Sequence, residues 1–162
     1  MKNMGKLFIG IDPGISGALV ALDQDGLFMD WTLMPVVDNR VDGRGVHEFL
    51  SAYSEYTPMC ALEQVAAMPG QGVSSMFKFG ESVGIVRGVI HALKVPLLEV
   101  RPRAWQLATC GPIEGSKEKA VAYAMDRYPG LDWPKNKSHR SALADALCMA
   151  LWLRQRHGEV AA

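Results

Sequence analysis

Leu7-Phe8-Ile9-Gly10-Ile11-Asp12-Pro13-Gly14 is an apolar strand that ends on a carboxylate and then turns sharply. An acid delivered at the tip of a buried strand is costly unless its charge meets a cation or a metal held against phosphate. Two more acids stand alone in apolar or small-residue runs: Glu63 in Cys60-Ala61-Leu62-Glu63-Gln64-Val65 and Asp145 in Ser141-Ala142-Leu143-Ala144-Asp145-Ala146-Leu147. Three such acids point to one shared oxygen-ligand site for a hard cation such as Mg²⁺.

Working outward from that strand, Ala18 to Leu22 and Leu27 to Met34 read as two further strands, and the Asp25-Gly26 pair between them is a hairpin-turn signal. The three strands form an antiparallel meander. Val46 to Tyr56 reads as a helix with Val46, Phe49, Leu50 and Tyr53 on one face. Met59 to Val65 is a strand covered on both faces, and residues 68–73 are a loop. A long helix follows, capped by Ser74 or Ser75 and running to His91 or Leu93. Its Gly80, Gly84 and Gly88 recur every four residues and read as a smooth stripe for close packing against a sheet or another helix, with a ligand role as the alternative; a dimer face is expected along this helix. Val95 to Val100 is a fifth strand, Pro102 to Leu107 a short helix, Lys117 to Arg127 a helix capped by Ser116, and His139 to Arg156 the final helix. An α/β fold follows: a mixed five-stranded sheet flanked by helices, with ligands gathering at neighbouring strand tips.

The 162 residues suit one domain, 1–162, with a sizeable core. The apolar windows Val83 to Val95 and Ala142 to Leu153 are broken by charge and fall short of the ~20 residues of a membrane span. Met1 to Lys6 lead into a strand with no signal-peptide pattern, so a cytoplasmic protein is expected. Cys60, Cys110 and Cys148 are odd in number and far apart, which argues against zinc ligation or a disulfide framework. The net charge of zero hides a split: 4 Lys/Arg against 9 Asp/Glu up to Gly70, then 13 against 8. An acidic metal-binding edge beside a basic surface for a polyanion would produce that asymmetry.

With these motifs in order, the chain resembles the RuvC-type Holliday junction resolvases of the RNase H-like superfamily, especially short phage and prophage members. Ile9-Gly10-Ile11-Asp12-Pro13-Gly14 is similar to the first catalytic motif and Leu62-Glu63-Gln64-Val65 to the second. Residues 74–81 with Gly84 are similar to the helix that follows, Gly115-Ser116-Lys117-Glu118-Lys119 to the basic segment near the scissile strand, and Ala144-Asp145-Ala146-Leu147 to the last motif. The resemblance implies a homodimeric, two-metal phosphodiesterase acting on branched DNA and leaving a 5′ phosphate. Asp12, Glu63 and Asp145 would hold Mg²⁺, with Mn²⁺ substituting, and Lys119 would neutralise the crowded phosphate; an ordinary solvated lysine is the alternative.

The chain departs from the family pattern in three places. A fourth acid or histidine is expected three residues before the last Asp, where this chain has Ala142. His139 is the candidate replacement ligand if it precedes the helix, with helix capping or DNA contact as alternatives; Ser141 would share a helix face with Asp145. Ala66 stands where an aromatic wedge is expected, leaving Met68, Met76 or Phe77 as wedge or core residues. Trp105, flanked by Arg101 and Arg103, stands where a basic catalytic residue would fall; it would either stack on a base or lie in the core, while the arginines bind phosphates. Lys78, Lys117, Lys135, Lys137 and Arg140 complete the expected DNA contacts. Rival readings are an actin-like phosphotransferase, which needs two such domains, a non-catalytic branched-DNA module, and an RNA–DNA hybrid nuclease.

Overall fold

A computed structural model describes residues 5–64, 66, 70, 72–111 and 116–160. The strands are β1 (Lys6–Ile11), β2 (Ala18–Asp23), β3 (Phe28–Leu33), β4 (Val36–Val37), β5 (Arg40–Val41), β6 (Thr57–Glu63) and β7 (Leu97–Val100). The helices are α1 (Gly43–Ser51), α2 (Val73–Ala92), α3 (Pro102–Cys110), α4 (Ser116–Arg127) and α5 (Lys137–Val160). The main sheet has the order β3-β2-β1-β6-β7: the meander pairs antiparallel, and β6 and β7 join parallel beyond β1. This is the mixed five-stranded sheet expected from the sequence.

Strand alternation sorts the core into two layers. Leu7, Ile9 and Ile11 of β1 face α1 and α2, whereas Phe8 faces α3, α4 and α5. Both layers are closed, so β1 is buried from Leu7 to Ile11. The long run Ala142–Leu151 of α5 is buried nearly throughout because that helix lies flat across the sheet centre. The β2–β3 turn is held from the helical side by the Tyr128 hydroxyl donating to Gly26 O at 2.6 Å and Arg154 Nε donating to Gln24 O at 2.9 Å.

Several boundaries differ from the sequence reading. The helix α1 begins at Gly43 rather than Val46 because the Asp42 side chain accepts from Arg44 N at 3.0 Å and caps it. At α2 the cap position is Gly72, with no side-chain capping bond, so neither Ser74 nor Ser75 caps it. The small β4–β5 hairpin was not foreseen; its turn residues Asp38 and Asn39 both have positive φ, 49° and 59°, as a type I′ turn requires. Among the described residues, nothing packs against Gly80, Gly84 or Gly88: a Cβ at each would meet no atom within 4 Å.

Candidate functional site

Two glycines set the geometry at the tip of β1. A Cβ at Gly10 would stand 1.9 Å from Ala146 O and 2.6 Å from Ala150 N, so its absence lets the α5 backbone lie directly on the strand. That contact brings Asp145, the residue before Ala146, to the level of the strand end. A Cβ at Gly17 would stand 2.1 Å from Asp12 O, so the turn after Asp12 folds tightly back on it. Asp12 N donates to Ala18 O at 3.0 Å, and Gly14 N donates to Asp12 Oδ1 at 3.3 Å.

Asp12 and Asp145 line one open cleft of about 1200 Å³. Lys78 from α2 and Lys137 and Arg140 from the first turn of α5 stand in its wall, as does Glu118 of α4. Arg140 is steadied by a bond from Nη1 to Pro134 O at 3.3 Å. The two carboxylates therefore sit among three cations, an arrangement suited to a phosphodiester backbone beside an oxygen-ligand site. Glu63 lies at the neighbouring tip: the parallel β1–β6 register ends on Ile11 and Leu62, and Asp12 and Glu63 are the next residues of each strand. Glu63 is half-buried, does not line the cleft, and accepts from the Trp105 indole N–H at 3.2 Å.

Three expectations need correction. His139 is not a ligand candidate, because α5 starts at Lys137, two residues earlier than expected. The Asn136 side chain accepts from Ser138 N and His139 N at 2.9 and 3.1 Å, which places His139 inside the first helical turn. Six residues before Asp145 on a helix, it is turned about 120° away from it, and it is absent from the cleft wall. Trp105 cannot stack on a base, being 1% exposed within the core. Lys119 is exposed but is not brought to the cleft; α4 turns Glu118, Val121, Ala122 and Met125 there instead, leaving Lys119 close enough to Cys110 to favour its thiolate.

The remaining basic candidates are dispersed. Arg101 donates from Nε to Gln64 Oε1 at 3.3 Å, Arg103 is exposed on α3, and Lys135 is exposed just before α5. The side chain of Lys117, the wedge candidate Met68 and most of the loop around it lie outside the described residues. Phe77 is 72% exposed on α2, so core packing does not account for it, while Met76 is half-buried. Trp105 as the partner of Glu63 was missed, since a contact across 42 residues of chain leaves no local signal.

Among the described residues, no three His, Cys, Asp or Glu side chains stand close enough to hold a metal ion unaided. The donors near the cleft are nonetheless carboxylate oxygens, and Mg²⁺ commonly takes one or two carboxylates and completes its shell with water and substrate phosphate. Asp12 and Asp145 fit that role by chemistry and by lining one cleft.

The structure of Thermus thermophilus RuvC in complex with Holliday junction substrate superposes with a TM-score of 0.71, at 20% identity, over 93% of this chain and 96% of that one. This chain has the RuvC fold. A second Thermus thermophilus RuvC structure gives a TM-score of 0.66 at the same identity and coverage, and the shared architecture is the RNase H-like mixed sheet flanked by helices. No family model and no curated protein matches the sequence. Among the described residues, no helix is long and apolar enough to cross a membrane.

Proposed function

We propose that this protein is a divalent-metal-dependent endodeoxyribonuclease that resolves four-way DNA junctions and other branched DNA, working in the bacterial cytoplasm. The observation that carries the reading is the pairing of Asp12 with Asp145 in one cleft walled by Lys78, Lys137 and Arg140, on a RuvC fold. The three cations hold the backbone of the scissile strand and offset the phosphate charge that would otherwise repel the two carboxylates. Asp12 and Asp145, with Glu63 at the adjoining strand tip, would hold Mg²⁺ or Mn²⁺. When bound, such ions supply Lewis acidity for hydrolysis of the phosphodiester to a 5′ phosphate and a 3′ hydroxyl.

A junction presents two equivalent strands, and a two-fold dimer would present two clefts to them. The exposed face of α2 supports a second copy as the partner. Gly80, Gly84 and Gly88 leave it smooth, and Val73 and Phe77 are 81% and 72% exposed near its start. Close helix–helix approach through such a stripe would bury these side chains.

The test sets a labelled mobile four-way junction, the matching linear duplex and an RNA–DNA hybrid against the purified protein in Mg²⁺. Selective cutting of the junction is expected. Preferential cutting of the hybrid would move the substrate class, and binding without cutting in either Mg²⁺ or Mn²⁺ would make the protein a non-catalytic branched-DNA module.

A further inference from the structure

Glu63 does not leave its strand unsupported. The segment from Val100 to Trp105 grips the end of β6 at three points: Gln64 N donates to Val100 O at 2.7 Å, Arg101 Nε to Gln64 Oε1 at 3.3 Å, and Trp105 Nε1 to Glu63 Oε1 at 3.2 Å. The last of these comes from the indole of a residue that is 1% exposed, in the core cluster on the side of α4 and α5. Its backbone carbonyl accepts from Thr109 Oγ1 at 2.8 Å, one turn further along α3. A bulky ring held on all sides cannot swing, so its N–H defines a fixed direction for the carboxylate.

The chemistry of the donor matters as much as its place. An indole N–H is neutral and has no acceptor, so it fixes one oxygen of Glu63 without cancelling the charge of the carboxylate. A lysine or arginine at the same point would compete with a divalent cation for that charge. Ligating carboxylates are commonly aimed by such outer hydrogen bonds, and losing one typically costs about 10- to 100-fold in metal affinity.

We infer that Trp105 is a positioning residue that orients Glu63 as a divalent-metal ligand through its buried indole N–H. The inference rests on the proposed metal-dependent nuclease reading and assigns a role to a residue that touches neither metal nor DNA.

Its test is a Mn²⁺ titration of metal-stripped protein, followed by calorimetry or by the electron paramagnetic resonance of free Mn²⁺. Four proteins are compared: wild type, Trp105→Phe, Glu63→Gln and the double variant. Trp105→Phe is expected to weaken Mn²⁺ binding about 10-fold or more, and to change it by less than about 2-fold once Glu63 is already Gln, the mark of an effect transmitted through that carboxylate. A fifth protein carries 3-benzothienylalanine at position 105, keeping the bicyclic shape but replacing N–H by sulfur; it reports the lost hydrogen bond alone if the Phe variant unfolds. If Glu63→Gln leaves Mn²⁺ affinity unchanged, Glu63 is not a ligand, and the metal reading of that residue fails with the inference. If Glu63→Gln weakens binding but removing the indole N–H leaves it unchanged, tightens it, or weakens it equally in both backgrounds, the positioning role alone is overturned.

Discussion

Replacing Gly10 by Ala tests how the site is assembled. The added methyl would fall 1.9 Å from Ala146 O and 2.6 Å from Ala150 N, well inside the 3.0 Å that Cβ contacts respect. Both colliding atoms are helix backbone, so no side-chain rotation relieves the clash, and α5 must retreat by about 1 Å or more. Overpacking of that kind costs about 3 kcal/mol, at the upper end of its usual range. For a chain of this size that lowers the melting temperature by about 6–12 °C. The retreat also carries Asp145 away from Asp12, and a misplacement of about 1 Å typically costs on the order of 100-fold in rate. Scanning calorimetry reads the first effect, and junction cleavage at 25 °C, with folding confirmed by circular dichroism, reads the second. A melting temperature within about 2 °C of wild type, with cleavage within about 2-fold, would refute the close approach of α5 to β1 as the feature that sets the site.

Lys78→Ala is expected to weaken junction binding uniformly across sequences and to reduce the slope of log affinity against log salt by about 1; an unchanged slope would remove Lys78 from the DNA path. The Cys110 thiol is held well below its ordinary value of 9.0 by hydrogen bonding with Cys148 and Thr109 and by the charge of Lys119, whereas burial pushes Cys60 up to about 12. Because a lowered pKa leaves the reactive thiolate populated at lower pH, iodoacetamide should label Cys110 with a midpoint well below pH 9.0 and leave Cys60 unlabelled; mass mapping that finds an ordinary midpoint would contradict this electrostatic setting. Gly84→Arg places a side chain where a Cβ meets nothing within 4 Å, so the subunit should fold normally while the proposed dimer separates. Light scattering should then give the mass of one chain for the variant and two for the wild type, and equal masses would place the interface elsewhere.

The central sheet was legible because β1 carries its information locally: an apolar run, a glycine within it and an acid at its end. The partner β6 likewise ends an apolar run on an acid, though without a glycine, so Asp12 and Glu63 were expected at neighbouring tips once the two strands were paired in parallel, as they are. Asp145 stood out for a related reason, as the single charge in the run Ala142–Leu151 of α5, which is buried nearly throughout. What failed turned on small shifts of phase. Starting α5 at His139 rather than at Lys137 left His139 in a lead-in able to reach a metal; the Asn136 cap moves it onto the helix and rotates it away. Trp105 has the composition of a stacking residue in a basic segment, and only the packing of α3 against α4 and α5 decides that it faces inward. The β4–β5 hairpin has two-residue strands, too short for any alternation to register, although its Asp38-Asn39 turn is of a type that tolerates positive φ. The glycine stripe of α2 was readable as a packing surface, but none of the described residues packs against it.

Cutting of an end-labelled mobile four-way junction by metal-stripped protein, with Mg²⁺ added back, compares wild type directly with Asp12→Asn and Asp145→Asn. Paired, symmetry-related nicks that require Mg²⁺ are expected from wild type, with losses of at least about 100-fold in both variants while junction binding persists. Nicking at the wild-type rate by either variant, or without any divalent ion, would contradict the assignment of these two carboxylates to a metal-dependent nuclease site.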